Sequence, residues 1–277
     1  MGLLHNLLGR SRRVTEPSVT RELPREPGEL TVEVGNIQGV GRRERQEDSF
    51  AVVNAASPDL RRSQGLLAVV ADGMGGMADG KEASQSAVED LLARFRDCGP
   101  DTDIPAWLAE SVHAVSREVF RRFSGASGTT LAAVHLRGSA LHWVSVGDSA
   151  IFLLRDGGVF QLNREHTFLN TLYARELEQD VICRERAEQD KDAHRLTSFV
   201  GIDRLEEVDR SLRPLALLPG DALLLCSDGV SGVLTPPELM EAMALRPEEG
   251  CALLEQMVLE KDLPAQDNFT GILISCK

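Results

Sequence analysis

The run Leu66-Leu-Ala-Val-Val-Ala71 is apolar at every position and stops on a carboxylate, Asp72, followed by Gly73-Met74-Gly75-Gly76. A strand with no polar alternation has both faces covered, so this segment belongs at the centre of a sheet. The bend after it carries more glycine than a tight turn needs, which lets backbone approach a ligand or an ion closely. Asp156-Gly157-Gly158 is the contrast: it separates two strand-like runs, and a hairpin turn accounts for it fully.

Other strand-like runs cover 30–34, 50–53, 129–136, 141–146, 150–154, 159–162, 212–218, 222–226 and 269–275. Short connections across 129–162 predict an antiparallel meander in which sequence neighbours pair. Apolar residues recur at helical spacing over 79–95 and 104–123, and again over 236–245 and 248–261. Helices grouped in pairs between antiparallel strands indicate an α+β fold. Residues 1–28, with Arg10, Arg12, Arg13, Arg21, Arg25 and three prolines, read as a mobile leader ahead of one domain over 29–277. Within that domain 168–195 is dense in charge of both signs and interrupts the strands, as a flap inserted over a surface would.

The 43 acidic residues outnumber the 30 Lys and Arg, giving a formal charge of -13, which opposes attraction to nucleic acid or anionic lipid. The five cysteines form no Cys-x-x-Cys pair, so a disulfide framework and a zinc site are both disfavoured and a reducing compartment fits. The apolar stretch at Met1 to Leu8 is too short for a membrane span or signal peptide, and Asn6 breaks the myristoylation pattern. The expected location is cytoplasmic.

Carboxylates recur where strands begin or end. Glu47-Asp48 stands before the 50–53 run, with Arg43 upstream. Val146-Gly147-Asp148-Ser149 and Leu225-Cys226-Ser227-Asp228-Gly229 repeat the placement of Asp72, and Asp267-Asn268 precedes the last strand. None is needed for a turn. Hard divalent cations take oxygen ligands, and a pair of them needs several carboxylates converging from different strand ends. Alternatives fit less well. Gly75 to Lys81 nearly spells a P-loop, but Glu82 replaces the required hydroxyl. Neither Cys183 nor Cys226 has the arginine a cysteine phosphatase needs, and Asp101-Thr-Asp103 lacks a preceding apolar strand.

These stretches, with Gly80, Ala83-Ser84, Gly128-Thr129-Thr130, Glu165-His166, Leu196-Thr197 and Pro219-Gly220-Asp221, occur in the order found in the metal-dependent serine/threonine protein phosphatases of type 2C, in their bacterial form. The chain resembles that family from Arg43 to Ile274. The resemblance implies a four-layer αββα sandwich of two antiparallel sheets flanked by helix pairs. It implies two Mn²⁺ or Mg²⁺ ions, with a weaker third in bacterial members. Asp72 would bridge the pair, Glu47 and the Gly73 carbonyl would complete one site, and Asp228 and Asp267 would hold the other. Asp48 would act through water, Asp148 would join the third ion, and Arg43 would grip the substrate phosphate. Arg43, Asp72 and Asp228 are thus the residues on which turnover should depend most.

The implied reaction is hydrolysis of phosphoserine and phosphothreonine in proteins by a metal-bridging hydroxide, without a phosphoenzyme. The implied partners are phosphorylated proteins, including a serine/threonine kinase or its targets. The alternative is a catalytically inactive module of the same fold that binds phosphoproteins. Met74 stands where eukaryotic members have a histidine, so the resemblance leaves His166 or a metal-bound water as candidate general acid. Ala150, where an arginine is usual, Glu165 for Asp, and Leu196-Thr-Ser-Phe-Val-Gly201 depart from the family pattern outside the expected primary ligands.

Overall fold

The structure, a computed structural model, describes residues 30–74, 79–179 and 183–277. The expected leader, and residues 75–78 of the glycine-rich bend, lie outside the described residues. In chain order the first half comprises β1 (Val32–Gly39), β2 (Ser49–Val53), α1 (Pro58–Ser63), β3 (Leu66–Ala71), β4 (Gly73–Met74), α2 (Gly80–Phe95), α3 (Ile104–Phe123), β5 (Gly128–Thr129), β6 (Leu131–Arg137) and β7 (Ala140–Val146). The second half comprises β8 (Ala150–Arg155), β9 (Gly158–Gln161), α4 (Phe168–Glu178), α5 (Arg184–Glu188), β10 (Asp209–Arg210), β11 (Leu215–Ala216), β12 (Ala222–Cys226), α6 (Asp228–Ser231), α7 (Pro236–Met243), α8 (Pro247–Glu260) and β13 (Phe269–Cys276).

Two antiparallel sheets stack face to face. One has the order β1-β13-β12-β8-β9; the other runs β10-β7-β6-β3-β2, with β11 also on β7. The period of two along β3 shows how its apolar run is used. Leu67, Val69 and Ala71 join the layer under α2 and α3, whereas Leu66, Ala68 and Val70 enter the layer between the sheets with Ile151, Leu223 and Ile272. On the far side, Leu224, Cys226 and Leu273 pack with Leu239 of α7 and Leu254 of α8. The layering is αββα.

The meander expectation holds within each half and fails at its middle. β6 pairs with β7 and β8 with β9, but β7 and β8 belong to different sheets. Gly147, at φ +96, turns the chain from one sheet to the other, and a side chain there would also strike Thr130. Short spacing could not distinguish a hairpin from such a crossing. Two further boundaries shift. The 30–34 run pairs with β13 from Val32 to Gly39, and of 212–218 only Leu215–Ala216 forms a strand. Helix α1 was not foreseen because it buries none of its residues and so shows no apolar period, although Ser57 caps it and Pro58 opens it.

His135 on β6 faces the helical layer, edge-on to Phe95, and is almost fully buried. Its Nε2 donates to the Gln64 carbonyl at 2.7 Å, while Nδ1 has no partner, so burial holds the imidazole pKa down to about 4. The unfolded chain therefore takes up this proton first. The stabilising contribution is complete above about pH 6.5 and is lost as pH falls through about 4, by an amount on the order of 3 kcal/mol. Urea unfolding should show the advantage of wild type over His135→Leu shrinking across that interval. An advantage that does not vary with pH would contradict the assignment.

Candidate metal centre

The pairing registers bring one set of strand ends together. Ser49 at the start of β2 lies opposite Ala71 at the end of β3, and Cys226 at the end of β12 lies opposite both Gly271 and Ala150. The end of β7 meets the start of β6 at Leu131. Asp48, Asp72, Asp148, Asp228 and Asp267 each flank one of these ends, so topology alone delivers five carboxylates to one rim of the sandwich. That is where charge can gather without crossing the apolar layer.

Backbone and hydroxyl contacts fix each position. The Asp72 N–H donates to Thr130 Oγ1 at 2.9 Å, and its carbonyl accepts from the Thr130 N–H and the Thr129 hydroxyl, both at 2.8 Å. Thr130 Oγ1 in turn lies 2.6 Å from Ser149 Oγ, which ties the Gly128-Thr129-Thr130 stretch to Gly147-Asp148-Ser149. Asn268 binds the other side: its Oδ1 accepts from the Glu47 N–H at 2.7 Å, and its Nδ2 donates to the carbonyls of Val40 and Arg45. The Ser227 hydroxyl donates to Asp48 Oδ2 at 2.9 Å. A Cβ on Gly80 would stand 3.1 Å from both Glu47 Oε1 and the Gly73 carbonyl oxygen, so those two oxygens face one point that only glycine leaves open.

Electrostatics mark the cluster as incomplete by itself. Asp72 lies within hydrogen-bonding reach of Asp48 and Asp228. Its pKa is driven well above the carboxylate range, first by burial and then by Asp48, Asp228, Asp148 and Asp267. Burial is the first cause in the others too: it lifts Asp48 to about 6 and Asp148 to about 7, and it raises Asp228, next to Asp267. Asp48 Oδ1 and Asp228 Oδ1 are buried without a hydrogen-bond partner. Unpaired buried anionic oxygens are costly unless a cation meets them. Among the described residues no three acidic, His or Cys side chains are placed closely enough to hold one metal ion as they stand, so ion binding there would require these carboxylates to draw together. Oxygen donors from several strands suit hard divalent ions.

A cavity of about 430 Å³ opens beside the cluster, lined by Asp148, Asp228 and Asp267, by Glu165, Thr167 and His194, and by apolar residues including Val233 and Leu263. Arg43 does not line the cavity but pairs with a residue that does: its Nη2 donates to Asp267 Oδ2 at 2.6 Å, and its charge is felt by Asp228.

Residues 43–265 match the family model for protein phosphatase 2C. The chain belongs to the protein phosphatase 2C family. It is 31% identical over 230 residues to the serine/threonine protein phosphatase PstP of Mycobacterium tuberculosis, covering 80% of this chain and 42% of that one. It therefore spans about two fifths of that relative's length. The crystal structure of the M. tuberculosis serine/threonine phosphatase PstP/Ppp superposes with a TM-score of 0.73 at 27% identity, covering 89% of this chain and 98% of that one. The catalytic domain of PstP in complex with two manganese ions gives 0.70 at 28%, covering 89% and 99%. Among the described residues no helix is long and apolar enough to cross a membrane.

Within this type 2C fold, two histidines stand near the Asp148 turn in different settings. His166 is buried, with Nδ1 accepting from the Gly147 N–H at 3.1 Å and its own N–H donating to the Gly147 carbonyl at 2.8 Å. Burial lowers its pKa. The ring is a clasp on the Asp148 turn and is not among the residues lining the cavity. His194, in contrast, does line the cavity, and nothing in its charge-dense surroundings distinguished it. Pro219-Gly220-Asp221 is also structural: Asp221 accepts from both Nε and Nη2 of Arg155, at 3.0 and 2.5 Å, before β12 and away from the cluster. Ala150 is fully buried in the core under α7 and α8, so no cation reaches the site from that position.

Proposed function

We propose that the chain hydrolyses phosphoserine and phosphothreonine in proteins with Mn²⁺ or Mg²⁺ held by the strand-end carboxylates. The observation that carries this reading is the gathering of Asp48, Asp72, Asp148 and Asp228, each with raised proton affinity, beside Asp267, together with two orphaned oxygens on Asp48 and Asp228. Asp72 would be shared between two ions, with Glu47 and the Gly73 carbonyl on one side and Asp228 and Asp267 on the other. Asp48 acts from behind, and Asp148 offers a place for a weaker third ion. Divalent ions bound there supply charge that offsets the phosphate's and lower the pKa of the attacking water.

The protein's own groups do the rest. Arg43 presents a planar fork to the phosphate oxygens. Its present partner, Asp267, is an exposed one, and such pairs contribute only about 0–1 kcal/mol, so the guanidinium is readily redirected. Thr130, Ser227 and Asn268 hold the carboxylates in place before substrate arrives. The 168–195 excursion would act as a flap, since Thr167 and His194 at its two ends line the cavity.

Release of inorganic phosphate from a phosphoserine peptide should require added Mn²⁺ or Mg²⁺ and cease in excess chelator. Peptide binding without phosphate release, with either ion, would instead support the inactive phosphoprotein-binding module.

A further inference from the structure

With His166 withdrawn into a backbone clasp and Met74 unable to carry a proton, the leaving oxygen lacks an evident donor among the expected residues. Its need is chemical: a seryl or threonyl alkoxide is a poor leaving group, and a positioned acid typically contributes about 10²–10⁴-fold. His194 is the one imidazole lining the cavity, which otherwise presents carboxylates, hydroxyls, an amide and apolar groups among its described residues.

Its position is built rather than incidental. The 168–195 excursion leaves and returns at one point, where the Phe168 N–H donates to the Arg195 carbonyl and the Leu169 N–H to the Ala193 carbonyl, both at 2.9 Å. His194 lies between those two bonds. Ala193 is fully buried, and the Arg195 guanidinium stacks 5.1 Å from the Phe168 ring centroid. Thr167 and Leu196 form a β-bridge beside it, and His166 in the same segment clamps Gly147. The backbone that carries His194 is thereby fastened to the turn that carries Asp148. The side chain itself is exposed, so nothing in the packing of the domain requires it.

We propose that His194 donates the proton to the leaving seryl or threonyl oxygen, a role that rests on the phosphatase reading above. As the water oxygen bonds to phosphorus, the P–O ester bond breaks and its electron pair stays on the side-chain oxygen. That oxygen takes the imidazolium proton, and the proton lost by the attacking water restores the imidazolium. One water is consumed, and an alcohol and inorganic phosphate are formed. Imidazole suits both halves of this exchange near neutral pH.

The test compares leaving groups that differ in their need for a proton. Steady-state rates with Mn²⁺ are measured for wild type, His194→Gln and His194→Ala on p-nitrophenyl phosphate, phenyl phosphate and a phosphoserine peptide. The expected defect grows along that series, reaching about a hundredfold on the last two and being at least tenfold smaller on p-nitrophenyl phosphate. A defect confined to the peptide would make His194 a docking residue and overturn the proposal, as would equal defects on all three substrates. Wild-type protein inert toward every ester would remove the phosphatase reading itself, and the role of His194 with it. Active wild type with unaffected variants would remove only the latter.

Discussion

Asp72→Asn is expected to lower turnover of any phosphate ester by at least about 10²–10³-fold while making the metal-free protein more stable. The rate follows from position. Loss of groups that merely orient ligands typically costs about 10–100-fold, and Asp72 would itself be the ligand shared between ions. The stability follows from charge, because desolvation of the half-buried Asp72 and then the charges of Asp48, Asp228, Asp148 and Asp267 disfavour its ionised form. A carboxyl whose folded pKa is raised binds more protons when folded than when unfolded. Its effect on stability is therefore favourable at low pH and fades as pH rises through the folded value.

Removing the charge should thus help more at pH 8 than at pH 5. For a domain of this size each 1 kcal/mol corresponds to about 2–4 °C in Tm. Added Mn²⁺ should raise the melting temperature of wild type and do so less for the variant, since ligand stabilisation scales with affinity. Scanning calorimetry of both proteins, with and without metal at the two pH values, reads all of this. A variant that melts lower than wild type without metal, at both pH values, would show that Asp72 is held by favourable contacts and is not the centre of a repulsive cluster.

The strand-end carboxylates were legible because their spacing has a local cause. Each sits where an apolar run stops, and the layered fold makes such points the only places where charge can meet without being buried in the core. β3 could be placed as a strand covered on both faces from composition alone, although it lies next to the edge strand β2, and α3 from its sustained apolar period. What could not be read depended on which ends meet. The crossing at Gly147 looks like a hairpin in sequence, yet it determines that Asp148 stands at the rim between the sheets. His166 and His194 show the same limit at the level of side chains. The motif pointed to the histidine beside Glu165, whereas the fold uses that ring to fasten a turn and brings another imidazole, 28 positions later, to the cavity. Short-range pattern carries the elements and their terminal residues; long-range closure of the 168–195 excursion carries access to the site.

Arg43→Ala tests the substrate side of the centre independently of the metal side. If the guanidinium grips the phosphate, kcat/KM should fall by at least about tenfold, since hydrogen bonds to charged groups contribute roughly 1.5–3 kcal/mol. Its pairing with Asp267 adds a second expectation. That contact occupies one oxygen of a proposed ligand and sets a positive charge beside it, so losing it should leave Mn²⁺ affinity unchanged or slightly tighter. Arg43→Lys restores the charge but not the fork and should fall between wild type and the alanine variant. Arg42 supplies the control, because its partner at the surface is Asp262, which, unlike Asp267, does not line the cavity, so Arg42→Ala should behave nearly as wild type. Steady-state kinetics on one phosphopeptide, with Mn²⁺ titrations for all four proteins, separates the outcomes. A fall in metal affinity that accounts for the whole loss of activity would make Arg43 a support for Asp267, and equal kinetics for Arg43→Ala and wild type would leave the phosphate to other groups.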